Sequence, residues 1–225
     1  MQEMQVIIFL HGWGKSKKDY KELLDLLVKK YTVYALDLPG FGQTPIDRPF
    51  DLDDYVSYVY KFIKKKNLEK VVLAGHSFGG RVSIKFALKY PELLKKLILI
   101  GSHGIERKNL LIKSINSIKS IKLITPDFFQ RIFRQVFGSN DYLGASPAMR
   151  ETMKKVVGEN LEPELSKIKV PTQLIWGEND HTTPIWMGKV MTAQIQGSTL
   201  SVIAGGDHGV PYRKVKEVAN AILNN

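Results

Sequence analysis

The sequence predicts an α/β fold in which a mostly parallel sheet is covered by helices on both sides. Six short apolar runs recur along the chain, and stretches with helical spacing separate them. Runs that are apolar at every position are typical of strands buried on both faces. Strands that alternate with helices form parallel sheets. We therefore expect about six strands, at residues 6–10, 32–36, 71–74, 97–100, 172–176 and 200–203.

The predicted helices occupy most of the connections between these runs. Apolar residues at helical spacing mark residues 20–30, 52–66, 81–90, 185–195 and 212–223. These stretches are long enough to cover both faces of the sheet.

One connection, at residues 104–167, has helical pattern but no strand-like run. Within it Thr125 and Ser146 each precede a proline, a pair that predicts a helix cap followed by the first helical residue. We expect a small helical lid here, inserted after the fourth strand. The remaining residues, 1–103 and 168–225, would form the core.

Length and composition indicate a folded chain with one main domain. The chain has 225 residues, of which 44% are hydrophobic and 24% are charged, as is usual for globular proteins. It has no cysteine, which excludes disulfides, thiolate metal sites and cysteine nucleophiles. The apolar run at residues 6–10 is too short for a signal peptide, and no run is long enough to span a membrane. We expect a cytoplasmic protein with no membrane span.

The formal net charge of +11 favours anionic partners. A lysine-rich surface that aids solubility is the simpler interpretation and is favoured. Residues 104–134 of the predicted lid nevertheless hold seven basic residues against two acidic ones; the basic residues are Arg107, Lys108, Lys113, Lys119, Lys122, Arg131 and Arg134. No stacking or groove-reading motif accompanies them, so nucleic acid is not an expected partner.

The turn after the third apolar run has the sequence Gly-His-Ser-Phe-Gly-Gly, at residues 75–80. A strand, a turn with small neighbours and a helix would hold Ser77 on a strained backbone with its hydroxyl clear of the sheet. The helix that follows would direct amide groups at the same spot. We interpret Ser77 as a nucleophile. A glycine-rich turn with a solvated serine, or a phosphate-binding loop, is the alternative, and the loop lacks a Gly-Lys-Ser/Thr ending.

Candidates for the acid and the histidine follow the fifth and sixth runs, at the sheet edge where ligands bind in parallel sheets. Asp180 is favoured over Glu178 as the acid, because it lies nearer the next helix and its shorter side chain fits a tight loop. A helix cap is the alternative role for Asp180. His208, flanked by glycine, could reach Ser77 and accept its proton. The adjacent Asp207 is expected on the surface.

Residues 11–14, His-Gly-Trp-Gly, follow the first run. The backbone amides of Trp13 and Phe78 would provide two donors for an oxyanion, although a plain glycine-rich turn would have the same sequence. Trp13 and Phe78 would also border an apolar substrate pocket. The other predicted pocket residues are Gly12, Phe128, Phe129, Phe133 and Val210.

The remaining histidines are interpreted as structural. His11 would brace its loop, since the ring nitrogens of histidine often form hydrogen bonds with loop backbone and need not act as a base. His76 would project away from Ser77, and His103 and His181 would be ordinary loop residues. The histidines show no ligand spacing on a common helix, so neither a metal nor a cofactor is expected.

Taken together, these residues resemble the α/β-hydrolase fold family, in which the nucleophile comes first along the chain, the acid second and the histidine third. In this sequence the same order is Ser77, Asp180 and His208. Three further segments resemble its oxyanion loop, its Asp-x-Pro-Gly-x-Gly turn and its nucleophile elbow: residues 11–14, 37–42 and 75–79. The resemblance spans nearly the whole chain. The resemblance has one departure: the first apolar run begins almost directly, at residue 6, so we expect a sheet that lacks the family's usual first two strands.

Within that family, the chain is most similar to small carboxylesterases of the BioH-like type, the pimeloyl carrier-protein methyl ester esterases. The resemblance implies a serine hydrolase that cleaves small-molecule carboxylic esters through an acyl-enzyme. It also makes an acidic acyl carrier protein a candidate partner of the basic lid. Thioester hydrolysis, carbon–carbon bond hydrolysis and cofactor-free perhydrolysis reuse the same triad and stay open. A ligand-binding receptor of the same fold is the alternative from another class.

Overall fold

The computed structural model describes residues 4–105 and 146–224, in which six strands form one parallel sheet. The strands are β1 (Gln5–Leu10), β2 (Tyr31–Leu36), β3 (Val71–His76), β4 (Leu94–Ile100), β5 (Thr172–Gly177) and β6 (Thr199–Ile203). Their spatial order is β2-β1-β3-β4-β5-β6, and every neighbouring pair is parallel. This confirms the predicted sheet of about six strands.

Helices fill the connections between these strands. The described residues contain α1 (Lys21–Leu27), α2 (Leu52–Lys65), α3 (Phe78–Lys89), α4 (Pro147–Gly158), α5 (Ile185–Gln194), α6 (Val210–Arg213) and α7 (Val215–Leu223). The single helix predicted at residues 212–223 is instead two helices. Lys214, at φ −122° and ψ 49°, leaves the helical conformation and separates α6 from α7.

The strands are buried on both faces, as their continuous apolar pattern predicts. In β1, Ile8 and Leu10 belong to one apolar cluster with residues of α2, α3, α4 and α5. Ile7 and Phe9, which alternate with them, belong to a second cluster with residues of α1, α6 and α7. Helices therefore cover both faces, and the loops at the carboxyl ends of the strands form one edge of the sheet.

The predicted lid lies only partly within the described residues. Its last part contains α4, where the Ser146 side chain accepts a hydrogen bond from the Met149 amide at 3.3 Å and a proline takes the first helical position. This confirms the predicted cap at Ser146. Met153 and Val156 of α4 are buried in the larger apolar cluster. The predicted cap at Thr125 and the basic residues at 107–134 lie outside the described residues.

Within the two described ranges, no helix combines the length and the apolarity needed to cross a bilayer. The same part of the chain holds no group of three or more His, Asp or Glu side chains arranged to bind a metal ion.

Candidate active site

Ser77 lies on a strained turn between β3 and α3. Its backbone has φ 53° and ψ −112°, in a region that residues with a side chain rarely adopt, at a cost of about 1–3 kcal/mol. The turn is tight because a Cβ on Gly75 would collide with the backbone of Gly79, and a Cβ on Gly79 would collide with that of Leu10. The Ser77 amide donates to the Ile100 carbonyl at 2.9 Å, which ties the turn to β4. These contacts hold the strained conformation in place.

The structure brings Ser77, His208 and Asp180 into one hydrogen-bonded chain. Ser77 Oγ lies 3.0 Å from His208 Nε2, and His208 Nδ1 lies 2.8 Å from Asp180 Oδ2. An ionised carboxylate can only accept, so His208 carries its proton on Nδ1. The lone pair on Nε2 is then free to accept the Ser77 proton. This is a Ser-His-Asp arrangement, formed by the three residues that the sequence singled out.

The Asp180 carboxylate is held by its own loop as well as by His208. Oδ1 accepts from the amides of Thr182 and Thr183 at 2.9 and 2.8 Å, and Thr183 Oγ1 lies 2.8 Å from Oδ2. The residue is only 4% exposed. Glu178, the rival acid, is exposed and instead accepts from the Gly205 amide at 2.8 Å. Asp180 is thus the carboxylate that orients the imidazole, and it also caps its loop.

Trp13 and Phe78, whose amides are the predicted oxyanion donors, lie next to each other. Their rings pack edge to face with centroids 5.2 Å apart. Phe78 is the first residue of α3, where the amide has no acceptor within the helix and the helix dipole is positive. The position suits negative charge beside Ser77, and the donor role of the two amides stays a prediction.

A cavity of about 670 Å³ lies on the Trp13 side of the site. Its described lining residues are Trp13, Gly14, Gly40, Phe41, Gly42, Gln43, Thr44, Pro45, Ile46, Ser146 and Met149. None of these lining residues carries a formal charge. The described part of the lining is thus apolar or neutral and polar.

The other predicted pocket residues are not among the described residues that line this cavity. Val210 is instead buried in the smaller apolar cluster. Gly12 lies against His76, Tyr20 and Ser77, because a Cβ there would lie 3.0 Å from His76 Nδ1, 3.3 Å from the Tyr20 hydroxyl and 3.4 Å from Ser77 Cβ. Phe128, Phe129 and Phe133 lie outside the described residues.

His11 braces two loops, as expected. Its Nε2 accepts from the Leu38 amide at 2.9 Å, so its Nδ1 carries the proton and donates to the Gly12 carbonyl at 2.8 Å. Asp207 is exposed and pairs with Arg213 at 2.7 Å, again as expected.

His76 contacts the site, which the sequence interpretation missed. Its Nε2 donates to the backbone carbonyl of His208 at 2.9 Å, and its Nδ1 accepts from the Tyr20 hydroxyl at 2.7 Å. Tyr20 in turn accepts from the Gly12 amide at 3.0 Å. Through Tyr20 and His76, these bonds join the loop of His208 to the loop that contains Gly12 and Trp13. The sequence signal that could have indicated this role is the position of His76 at the carboxyl end of β3, next to Ser77.

His103 was also interpreted as an ordinary loop residue, and the structure places it at Ser77. Its Nδ1 lies 3.1 Å from Ser77 Oγ. The signal was the neighbourhood of the strands: β4 pairs with β3, and His103 follows the end of β4 by three residues. The side chain of Ser77 therefore faces two imidazoles rather than one.

We predict that two buried histidines make the protein less stable in acid. Burial, as the main cause, holds the pKa of both His11 and His76 below 6.5, because a charged imidazole loses its hydration. As the pH falls below about 6.5 the unfolded chain binds protons that the folded chain does not, so stability is lost. The free energy of unfolding should fall by up to about 1.4 kcal/mol per pH unit for each ring. Urea unfolding at pH values from about 7.5 to 5.5 measures this slope.

The matched variant for this measurement is His76→Gln, which removes one of the two buried imidazoles. The slope of its unfolding free energy against pH should be smaller by the contribution of about one bound proton. A slope equal to that of the unaltered protein would contradict the assignment of a neutral His76.

We also predict that the Tyr20 hydroxyl contributes more stability than an ordinary buried hydroxyl. Tyr20→Phe leaves both the Gly12 amide and His76 Nδ1 without their partner, which should cost about 1–3 kcal/mol. Tyr55→Phe is the control, because the Tyr55 hydroxyl is also buried but donates one hydrogen bond, to the Pro39 carbonyl at 2.9 Å, and bridges no second group among the described residues. Urea unfolding of both variants makes the comparison. Equal losses would show that the bridge from Gly12 to His76 adds nothing.

Comparison with known proteins places this site in a family. The α/β hydrolase fold family matches residues 5–141, more than half of the chain. An uncharacterized hydrolase, YugF, from Bacillus subtilis (strain 168) is 27% identical over 98% of this chain and 89% of its own. The 2-hydroxy-6-oxononadienedioate/2-hydroxy-6-oxononatrienedioate hydrolase of Escherichia coli (strain K12) is 25% identical over 98% of this chain and 86% of its own. A solved bacterial membrane phospholipase A superposes with a TM-score of 0.78 at 26% identity, covering 100% of this chain and 79% of the other.

The chain belongs to the α/β-hydrolase fold family. The family and the curated relatives also identify its general activity, which is that of a hydrolase.

Proposed function

We propose that this hydrolase cleaves carboxylic esters through an acyl-enzyme, with Ser77 as nucleophile, His208 as general base and acid, and Asp180 as the carboxylate that orients His208. The observation that supports this most is the 3.0 Å contact between Ser77 Oγ and the unprotonated Nε2 of His208. Asp180 fixes the tautomer that makes this contact productive.

In the acylation step, Nε2 of His208 takes the proton from Ser77 as Oγ attacks the ester carbonyl. The C–O bond to the alcohol then breaks, and the alcohol leaves with the proton from His208. In the second step His208 takes a proton from water, the resulting hydroxide attacks the acyl carbon, and Ser77 Oγ departs with that proton. The carboxylic acid is released and the resting protonation state is restored.

The negative charge on the carbonyl oxygen in both steps would be held by the backbone amides of Trp13 and Phe78. The start of α3 supports this assignment, since its dipole and its first amides favour an anion beside Ser77. The close packing of the Trp13 and Phe78 rings keeps the two backbone segments adjacent.

The substrate we propose is an ester with uncharged acyl and alcohol groups. The cavity beside Trp13 supports this, because its described lining combines aromatic and aliphatic surface with a few neutral polar groups. This proposal makes the chain a small carboxylesterase of the BioH-like type.

The experiment that tests this function is turnover of a panel of substrates that share one acyl group. We expect the p-nitrophenyl and methyl esters of a short or medium acid to be hydrolysed in preference to the matched thioester. A preference for the thioester would instead support thioester hydrolysis. Hydrogen peroxide added to the ester assay tests perhydrolysis, and binding without any turnover would support the receptor alternative.

Carbon–carbon bond hydrolysis is the second candidate, because the E. coli relative is a hydrolase of 2-hydroxy-6-oxononadienedioate. A dienedioate has two carboxylate groups, whereas the described lining of the cavity is uncharged. We therefore expect esters to be turned over faster than this compound. Faster turnover of the dienedioate would make carbon–carbon cleavage the function.

We also propose that residues 104–167 form a lid and that its basic residues bind an acidic acyl carrier protein. The charge of residues 104–134, seven basic against two acidic, supports this partner. Changing both Arg131 and Arg134 to Glu should raise KM for a carrier-bound acyl methyl ester and leave KM for a p-nitrophenyl ester unchanged. If the unaltered protein and the variant had equal KM values for the carrier-bound substrate, the carrier protein would be ruled out as a partner of these residues.

A further inference from the structure

Two imidazoles contact the nucleophilic oxygen. Ser77 Oγ lies 3.0 Å from His208 Nε2 and 3.1 Å from His103 Nδ1. Both distances are within hydrogen-bonding range. The rings of His103 and His208 are separate, with centroids 6.0 Å apart and planes inclined by 74°. The two nitrogens therefore approach Oγ from different rings that do not stack on each other.

Because Ser77 has a single hydroxyl proton, it can donate to only one of the two imidazoles, and this decides whether His103 Nδ1 donates or accepts. Ser77 has one hydroxyl proton, and His208 Nε2 accepts it because the proton of His208 sits on Nδ1, facing Asp180. If His103 Nδ1 were also unprotonated, its lone pair would face a lone pair of Oγ at 3.1 Å. The favourable arrangement is the one in which His103 Nδ1 carries a proton and donates it to Oγ.

The backbone of His103 is fixed to the same serine. The His103 amide donates to the Ser77 carbonyl at 3.2 Å, so the two residues are joined through both main chain and side chain. The Ser102 hydroxyl donates to the His103 carbonyl at 2.8 Å. Ser102 in turn packs against Gly80, where a Cβ would collide with its side chain. The main chain of His103 is thus held against the turn that carries Ser77.

We infer that His103 is a catalytic residue that speeds the breakdown of the acyl-enzyme by donating a hydrogen bond from Nδ1 to Ser77 Oγ. The inference rests on the proposed function, since it requires an acyl-enzyme. A serine hydroxyl accepts a hydrogen bond better than an ester oxygen does, so this donor stabilises the free enzyme relative to the acyl-enzyme. The bond also regains strength as Oγ acquires negative charge on leaving.

The step balances without any net transfer through His103. The bond from the acyl carbon to Oγ breaks as the bond from the same carbon to the water oxygen forms. His208 removes one proton from the water and delivers it to Oγ. The Nδ1 proton of His103 stays on the ring and is shared with Oγ throughout.

The test compares His103→Leu with His103→Asn by rapid-mixing kinetics on a p-nitrophenyl ester. The first burst of p-nitrophenol reports acylation, and the later steady rate reports deacylation. In His103→Leu we expect deacylation to slow by about two- to tenfold, the effect of one hydrogen bond, while acylation is unchanged or faster. His103→Asn should recover much of the lost rate, because Asn Nδ2 occupies the place of His Nδ1.

Titration with a fluorophosphonate gives the concentration of intact sites, so that a partly misfolded variant does not distort the rates. Equal deacylation rates for the unaltered protein and both variants, or an equal fall in acylation and deacylation, would overturn the role of His103. A fall that Asn does not rescue would also count against it. If the unaltered protein and Ser77→Ala released p-nitrophenol equally, the proposed function would fail and this inference with it.

Discussion

Ser77→Ala should abolish ester hydrolysis, with kcat lowered by about 10⁴- to 10⁶-fold. The substitution removes the atom that lies 3.0 Å from His208 Nε2 and that would form the acyl-enzyme. Initial rates with a p-nitrophenyl ester, at saturating substrate, measure the loss. Any remaining rate reflects binding and oxyanion stabilisation alone.

The matched control for Ser77→Ala is Ser83→Ala, in the same helix region. Ser83 is buried and its hydroxyl donates to the Gly79 carbonyl at 2.8 Å, which is a contact within α3. Its loss should lower stability by about 1 kcal/mol and leave kcat within about twofold. Substantial turnover by Ser77→Ala, above about 1% of the original kcat, would sink the assignment of the nucleophile.

Asp180→Asn should lower kcat by about 10⁴-fold. The amide oxygen of Asn can replace Oδ1 and still accept from Thr182 and Thr183, so the loop keeps its shape. The NH₂ group then faces His208 Nδ1, and two donors cannot face each other. His208 therefore moves its proton to Nε2, where it can no longer accept the proton of Ser77.

Glu178→Gln is the control for Asp180→Asn, because it makes the same change of a carboxylate to an amide two residues away. Glu178 bonds the Gly205 amide at an exposed position and does not reach His208. We expect kcat to stay within about twofold of its original value. A large loss in Glu178→Gln together with a small one in Asp180→Asn would reverse the assignment of the acid.

The sheet and the three residues of the triad could be predicted from the sequence for physical reasons. Strands buried on both faces are apolar at every position, which makes them visible as runs. Parallel strands bring their carboxyl ends to one edge, so Ser77, Asp180 and His208 could be placed together from the runs that precede them. Gly75 and Gly79, two residues on either side of Ser77, also predict the strained turn, because a Cβ at either position would collide with backbone.

The two further histidines at the site could not be predicted in the same way. Whether His103 contacts Ser77 Oγ, and whether His76 bonds the loop of His208, depends on the direction of the side chains and on the register between β3 and β4, which periodicity does not encode. The partner of His76 is the hydroxyl of Tyr20, which lies 56 residues earlier in the sequence. Val210 is a predicted pocket residue, and the structure buries its side chain in the smaller apolar cluster.

The central claim is that His208 activates Ser77 as a nucleophile, and labelling with a fluorophosphonate tests it most directly. Mass spectrometry of the digested protein should find one adduct, on Ser77. His208→Gln should be labelled far more slowly, by about 10²-fold or more, because no base then accepts the serine proton. An adduct absent from Ser77, or one formed at the same rate in His208→Gln, would contradict the claim.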